Sequence, residues 1–119
     1  HMRFPDDPAA SGVTAILSAL PPKSTLDRPD GPHSGNQYVR AAVEKGEPQH
    51  VMWCIQRPDG GRGFGFTGAH FHRNWANDQF RTLILNAIVW SANREVPAGG
   101  FPSKVTEEEM KANLDAKGK

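Results

Sequence analysis

Residues 60–93 read GGRGFGFTGAHFHRNWANDQFRTLILNAIVWSAN, and the rest of the chain is arranged around them. The pattern is strand, polar loop, apolar helix. Over Arg62 to Thr67, Phe64 and Phe66 fall on one face, and Gly63 and Gly65 leave the other bare. Glycine inside a strand marks a bulge, a ligand or another backbone in close approach. From about Asn77 to Ala92, Phe80, Leu83, Ile84, Ala87 and Ile88 recur at helical spacing. Leu85, Val89 and Trp90 widen the stripe, which predicts a helix buried on more than one side. Asn77 or Asp78 can cap its first turn. Between strand and helix lies Gly68-Ala69-His70-Phe71-His72-Arg73-Asn74-Trp75. Open α/β sheets place their ligands in loops that leave the carboxyl end of a strand and enter a helix.

Upstream, Pro48 to Arg57 alternates as a strand: Val51, Trp53 and Ile55 face one way, and His50, Met52 and Cys54 the other. Both faces are apolar enough for a strand inside a covered sheet. The tight connection Arg57-Pro58-Asp59-Gly60-Gly61-Arg62 predicts an antiparallel hairpin. Val13 to Leu20 reads as a further strand, ended by Pro21-Pro22. Lys23 to Asn36 is loop by composition and long enough to suggest function. Gln37 to Lys45 reads as a short helix terminated by Gly46. Downstream, Thr106 and Glu109 form a capping-box pattern that starts a tail helix ending by Gly118. Residues 1–11 read as an irregular lead-in, and His1-Met2 resembles a cloning-site remnant.

Composition excludes several classes. Fourteen basic against thirteen acidic residues leave a formal net charge of +1, which gives no reason to expect nucleic acid or a membrane as partner. No apolar run approaches the roughly 20 residues of a membrane helix. The single cysteine, Cys54, rules out an internal disulfide. Its apolar strand suits an inert core thiol better than a nucleophile. Three strands and one long apolar helix do not close a core, so the chain reads as part of a larger unit completed by another segment or chain.

The chemistry-bearing residues cluster in the loop. On an extended backbone His70 and His72 face the same side, where two imidazoles can hold one metal ion with a further ligand such as His33. A metal-free polar substrate site and purely structural histidines are the alternatives. An imidazole also titrates near neutrality, which suits acid–base work. Asn74 and Trp75 resemble a carbohydrate-binding pair, amide for hydroxyls and ring for a sugar face, although Trp75 can equally pack the start of the helix. Arg62 can reach a carboxylate or a sugar hydroxyl, or simply end a strand. Ser34 has no positioned base in the sequence, so turn formation accounts for it best. Gly63 to Phe66 is no phosphate loop, because the lysine and hydroxyl of that motif are absent.

Gly61-Arg62, Phe64 to Thr67, Gly68 to His70, and Phe80 with Leu83, Asn86, Ile88 and Trp90 together resemble the carboxyl-terminal strand–loop–helix of the ThuA-like family, named for a trehalose utilisation protein. The flanks RPDGPHSGN, KGEPQH and EVPAGGFPSK are similar to a bacterial subgroup of it. The resemblance implies an α/β fold, a flavodoxin-like, class I glutamine-amidotransferase-like three-layer sandwich. This chain would be a partial domain of it, with a hairpin and one long buried helix. Residues 1–102 would form the carboxyl-terminal half and 103–119 a peripheral tail helix. The implied function is in carbohydrate metabolism, as a hydrolase- or isomerase-like enzyme acting on a disaccharide or 3-keto-glycoside. The resemblance carries over His70, at the family's Gly-His position, and His72, as a subgroup feature, for catalysis; the reading of the residues themselves adds His33, Arg62, Asn74 and Trp75 for substrate binding. Zinc or another divalent metal on His70 and His72 is the implied cofactor. Cys54 does not stand in the nucleophile elbow of the amidotransferases. The implied partner is a small carbohydrate, with a homo-oligomer or an amino-terminal half completing the core, in bacterial cytoplasm or periplasm. The alternative is a non-catalytic sugar-binding or oligomerisation module.

Overall fold

The computed structural model describes residues 12–112 and Leu114. The expected lead-in and the far end of the tail helix lie outside them. The chain divides into two compact units, one ending at Thr67 and the other beginning at Gly68. The division falls inside the central stretch, between strand and loop.

The first unit is a three-stranded antiparallel meander in the order β1 (Val13–Ala19), β2 (Gln49–Gln56), β3 (Arg62–Phe66). The coarse α/β expectation therefore holds, with every described strand pair antiparallel. β2 is central and its Met52 is buried, with Phe66 as its register partner on β3. Gly63 and Gly65 do not leave a bare face. The indole of Trp53 lies over Gly65, and Ile55 stands beside Gly63. Glycine is required at position 65 because the aromatic ring of the neighbouring strand occupies the space of a side chain.

The hairpin turn is held by Asp59, whose carboxylate accepts from the Gly61 amide at 2.9 Å and from Arg57 Nε at 3.2 Å. Those two donors hold the Asp59 carboxyl below the ordinary carboxylate range. Gly60 takes the left-handed backbone (φ +83°) that closes the turn. The β1–β2 ladder is interrupted by register shifts on both sides of Leu17. Beyond them Ser18 Oγ meets His50 Nδ1 at 2.7 Å.

Residues 23–36 are not the structureless loop the composition predicts. Lys23–Asp27 forms a 3-10 turn, and Gly31 and Ser34 bridge a tight turn. Arg40, on α1 (Gln37–Glu44), ties the segment down by donating to the carbonyls of Leu26 and Arg28 and to the Asp30 carboxylate. Asn36 caps α1, accepting from the amides of Tyr38 and Val39.

The second unit holds α2 (Asp78–Ser91) and α3 (Glu107–Lys111). Asn77 caps α2 as expected, accepting from the Phe80 amide. The helix is not buried on several sides: Ile88 is 51% exposed, and among its residues only Arg81 and Ala87 are buried. Its polar side binds the exit segment instead. Asn86 Oδ1 accepts from the Phe101 amide at 2.9 Å, and Thr82 donates to the Phe101 carbonyl at 3.0 Å. Across both units Val43, Met52 and Ala87 are the buried hydrophobic residues among those described.

Candidate functional site

Of the six candidates, His33 and Arg62 lie in the first unit, and His70, His72, Asn74 and Trp75 lie in the second. His33 is exposed at the tip of the turn bridged by Gly31 and Ser34. The Ser34 hydroxyl donates to the Pro29 carbonyl at 2.7 Å, which is turn work. Arg62 is half-buried at the start of β3, opposite Gln56.

The loop of the second unit is not extended. It is two 3-10 turns, Gly68–His70 and His72–Ala76, joined through an extended Phe71. The same-side geometry inferred from an extended His70-Phe71-His72 therefore does not apply. Asn74 and Trp75 brace the segment from within. The Asn74 amide donates to the Gly68 carbonyl at 2.8 Å, closing the first turn onto the second. Trp75 packs edge-on to Phe80, in the first turn of α2, with ring centroids 5.2 Å apart.

Arg81 completes the brace. It is 6% exposed, the buried charged residue of the described chain. Its guanidinium donates to the Trp75 carbonyl, the Asp78 carboxylate, and both the carbonyl and the hydroxyl of Ser103. A buried guanidinium is tolerated only when its donors are so occupied. Arg81 fixes the end of the loop, the start of α2 and the exit segment relative to one another.

What remains on the surface is a contiguous exposed run, His70-Phe71-His72-Arg73. His70 stands edge-on to the Phe71 ring at 4.9 Å, and the Arg73 guanidinium lies over the same ring at 5.0 Å. His72 Nε2 lies 2.8 Å from the Met110 carbonyl oxygen. A carbonyl only accepts, so Nε2 carries the hydrogen, and in the neutral ring Nδ1 carries the lone pair. The tail helix therefore sets the tautomer of His72. Its own start is fixed by the expected capping box: the Glu109 amide donates to Thr106 Oγ1, and the Thr106 amide to the Glu109 carboxylate. A base whose other nitrogen is held by a backbone acceptor is the arrangement that acid–base chemistry and metal ligation both use. Among the described residues no three His, Cys, Asp or Glu side chains converge where they would share a metal ion.

Residue type alone assigns no role to four of these residues. The Met110 carbonyl is a backbone atom with no signature in residue identity. Arg81 had a signal, a lone charge inside an apolar helix. Arg73 and Phe71 are ordinary until their rings and charges are placed together. No described helix is long and apolar enough to cross a membrane. Comparison of the chain with protein-family models, with curated proteins and with solved structures finds no match.

Proposed function

We propose that this chain is a ThuA-like domain, or a piece of one, that binds or acts on a disaccharide or 3-keto-glycoside at the exposed rim His70–Arg73. The observation that carries this reading is the His72–Met110 hydrogen bond, which gives an exposed imidazole a defined tautomer with a basic Nδ1. A neutral imidazole of this kind can take a proton from a carbon beside a keto group, or from a hydroxyl. His70 and Phe71 offer a polar edge and an aromatic face next to it. In an alternative form of the proposal zinc or another divalent ion takes the His72 Nδ1 lone pair, with His70 and further ligands from the substrate or another chain, and His72 is then a ligand and not the base. The meander would then be one edge of a larger flavodoxin-like sheet.

The test is an NMR titration of the chain with a neutral disaccharide and its 3-keto derivative. Shifts confined to the 68–76 amides, lost in His72→Ala, are expected. Unmoved amides at millimolar sugar would reject the rim as a sugar site.

A second reading rests on the thinness of the core. Ile16, Leu17 and Leu20 on and after β1, and Leu85 and Ile88 on α2, are exposed large apolar residues. Apolar surface in such amounts favours a non-catalytic module whose half-core another chain completes. Light scattering decides it: an assembly that Ile88→Lys or Ile16→Lys disperses supports it, and a monomer at every concentration rejects it.

A further inference from the structure

We propose that the ligand taken at the rim is anionic, a phosphorylated or carboxylated sugar held by the Arg73 guanidinium. This deepens the sugar-site reading and rests on it.

The first ground is local charge. From Gly68 to Asn77 the chain carries one arginine and two histidines and no carboxylate. The first acid after it, Asp78, is engaged by the buried Arg81. The nearest negative charge in sequence is thus committed elsewhere, and of the acids on α3, which packs on this turn, Glu107 pairs with Lys111, Glu109 closes the capping box and Glu108 is exposed.

The second ground is how Arg73 is held. Among the described residues its guanidinium has no carboxylate partner, and its recorded contact is the face of Phe71. A ring contact positions a guanidinium without consuming its N–H donors. Those donors form a planar fork that matches carboxylate and phosphate oxygens two at a time. Holding the side chain over the ring before the ligand arrives also removes part of the ordering cost of binding.

The third ground is that His70 rests on the edge of the same ring. Phe71 is 55% exposed, so it is not in the core. It gathers a cationic fork and an imidazole around one accessible apolar surface. That combination suits a ligand with an anionic group and a sugar ring on one small molecule.

The experiment is a titration of the full chain, read by NMR, with three probes: a neutral disaccharide, the same disaccharide bearing one phosphate, and inorganic phosphate. The phosphorylated sugar is expected to bind tightest, roughly five-fold or more above the neutral one. The advantage should vanish in Arg73→Gln and in about 1 M salt, where charges are screened beyond about 3 Å. Arg73→Lys, which keeps the charge and loses the fork, should retain only part of it. Equal affinity for the neutral and phosphorylated sugars overturns the proposal and leaves the sugar site standing. Inorganic phosphate binding as tightly as the sugar phosphate overturns it too, by reducing the site to a surface ion site. If no probe binds, both this proposal and the sugar reading fall.

Discussion

His72 donates from Nε2 to the backbone oxygen of Met110, 38 residues away, at 2.8 Å. The bond makes the tail helix part of the site. α3 is only five residues long and does not persist by propensity alone. It stands because Thr106 and Glu109 satisfy its first amides and because it packs on the turn that carries His72.

Thr106→Ala should therefore reach His72. Loss of a cap costs about 1 kcal/mol, enough to fray so short a helix. Nitrogen chemical shifts of the imidazole should report a mainly Nε2–H ring in the parent protein and a tautomer mixture in the variant. An unchanged tautomer ratio would show that Met110 does not orient the ring.

Arg81→Met should be the most damaging substitution in the second unit. It leaves the Trp75 and Ser103 carbonyls without their donor in a part-buried place, at a cost on the order of 3 kcal/mol. Asp78→Asn should cost far less, because that carboxylate is largely exposed. Denaturant midpoints of the two variants give the comparison, and similar losses would contradict it.

Gly65→Ala and Gly63→Ala should part company. A methyl at 65 runs into the Trp53 indole, and relieving that should cost about 1–3 kcal/mol. A methyl at 63 meets Ile55 Cγ2 at 3.6 Å, an ordinary contact. Gly63→Ala should be neutral or stabilising by a few tenths of a kcal/mol, since alanine loses less backbone entropy on folding. Thermal unfolding of the pair checks the ordering.

The Asp59 carboxyl is held low, by the Gly61 amide first and Arg57 second. A depressed native value means that its contribution to the hairpin is fully present above the unfolded carboxyl value of about 4. That contribution is lost as pH falls through the lower native value. The Gly61 amide shift should titrate below the ordinary aspartate midpoint, and Arg57→Gln should raise that midpoint. A midpoint at the ordinary value in the parent chain would refute the arrangement.

Much of this was legible in residue order. Alternation around Trp53, the turn residues at 58–61, the stripe from Phe80 to Ile88, and the caps Asn77 and Thr106 all act over a few residues, and all appear where expected. Less legible were the features that depend on distant groups. The extended form assumed for His70-Phe71-His72 gives way to 3-10 turns because Asn74 reaches back to Gly68. The loop at 23–36 is ordered because Arg40, downstream of it, collects its carbonyls. The apolar helix does not bury its whole stripe, since hydrophobic spacing states what a helix can bury and not how much surface is there to cover it.

By itself the sequence determined the order of strands and helices, the hairpin and the places where helices begin, because those follow from backbone preferences and hydrogen bonds between near neighbours. Only the tertiary structure decided which nitrogen of His72 is basic, which arginine is buried and which lies open over Phe71. Those outcomes depend on which backbone oxygens and rings the fold brings within reach, and residue type carries no record of that.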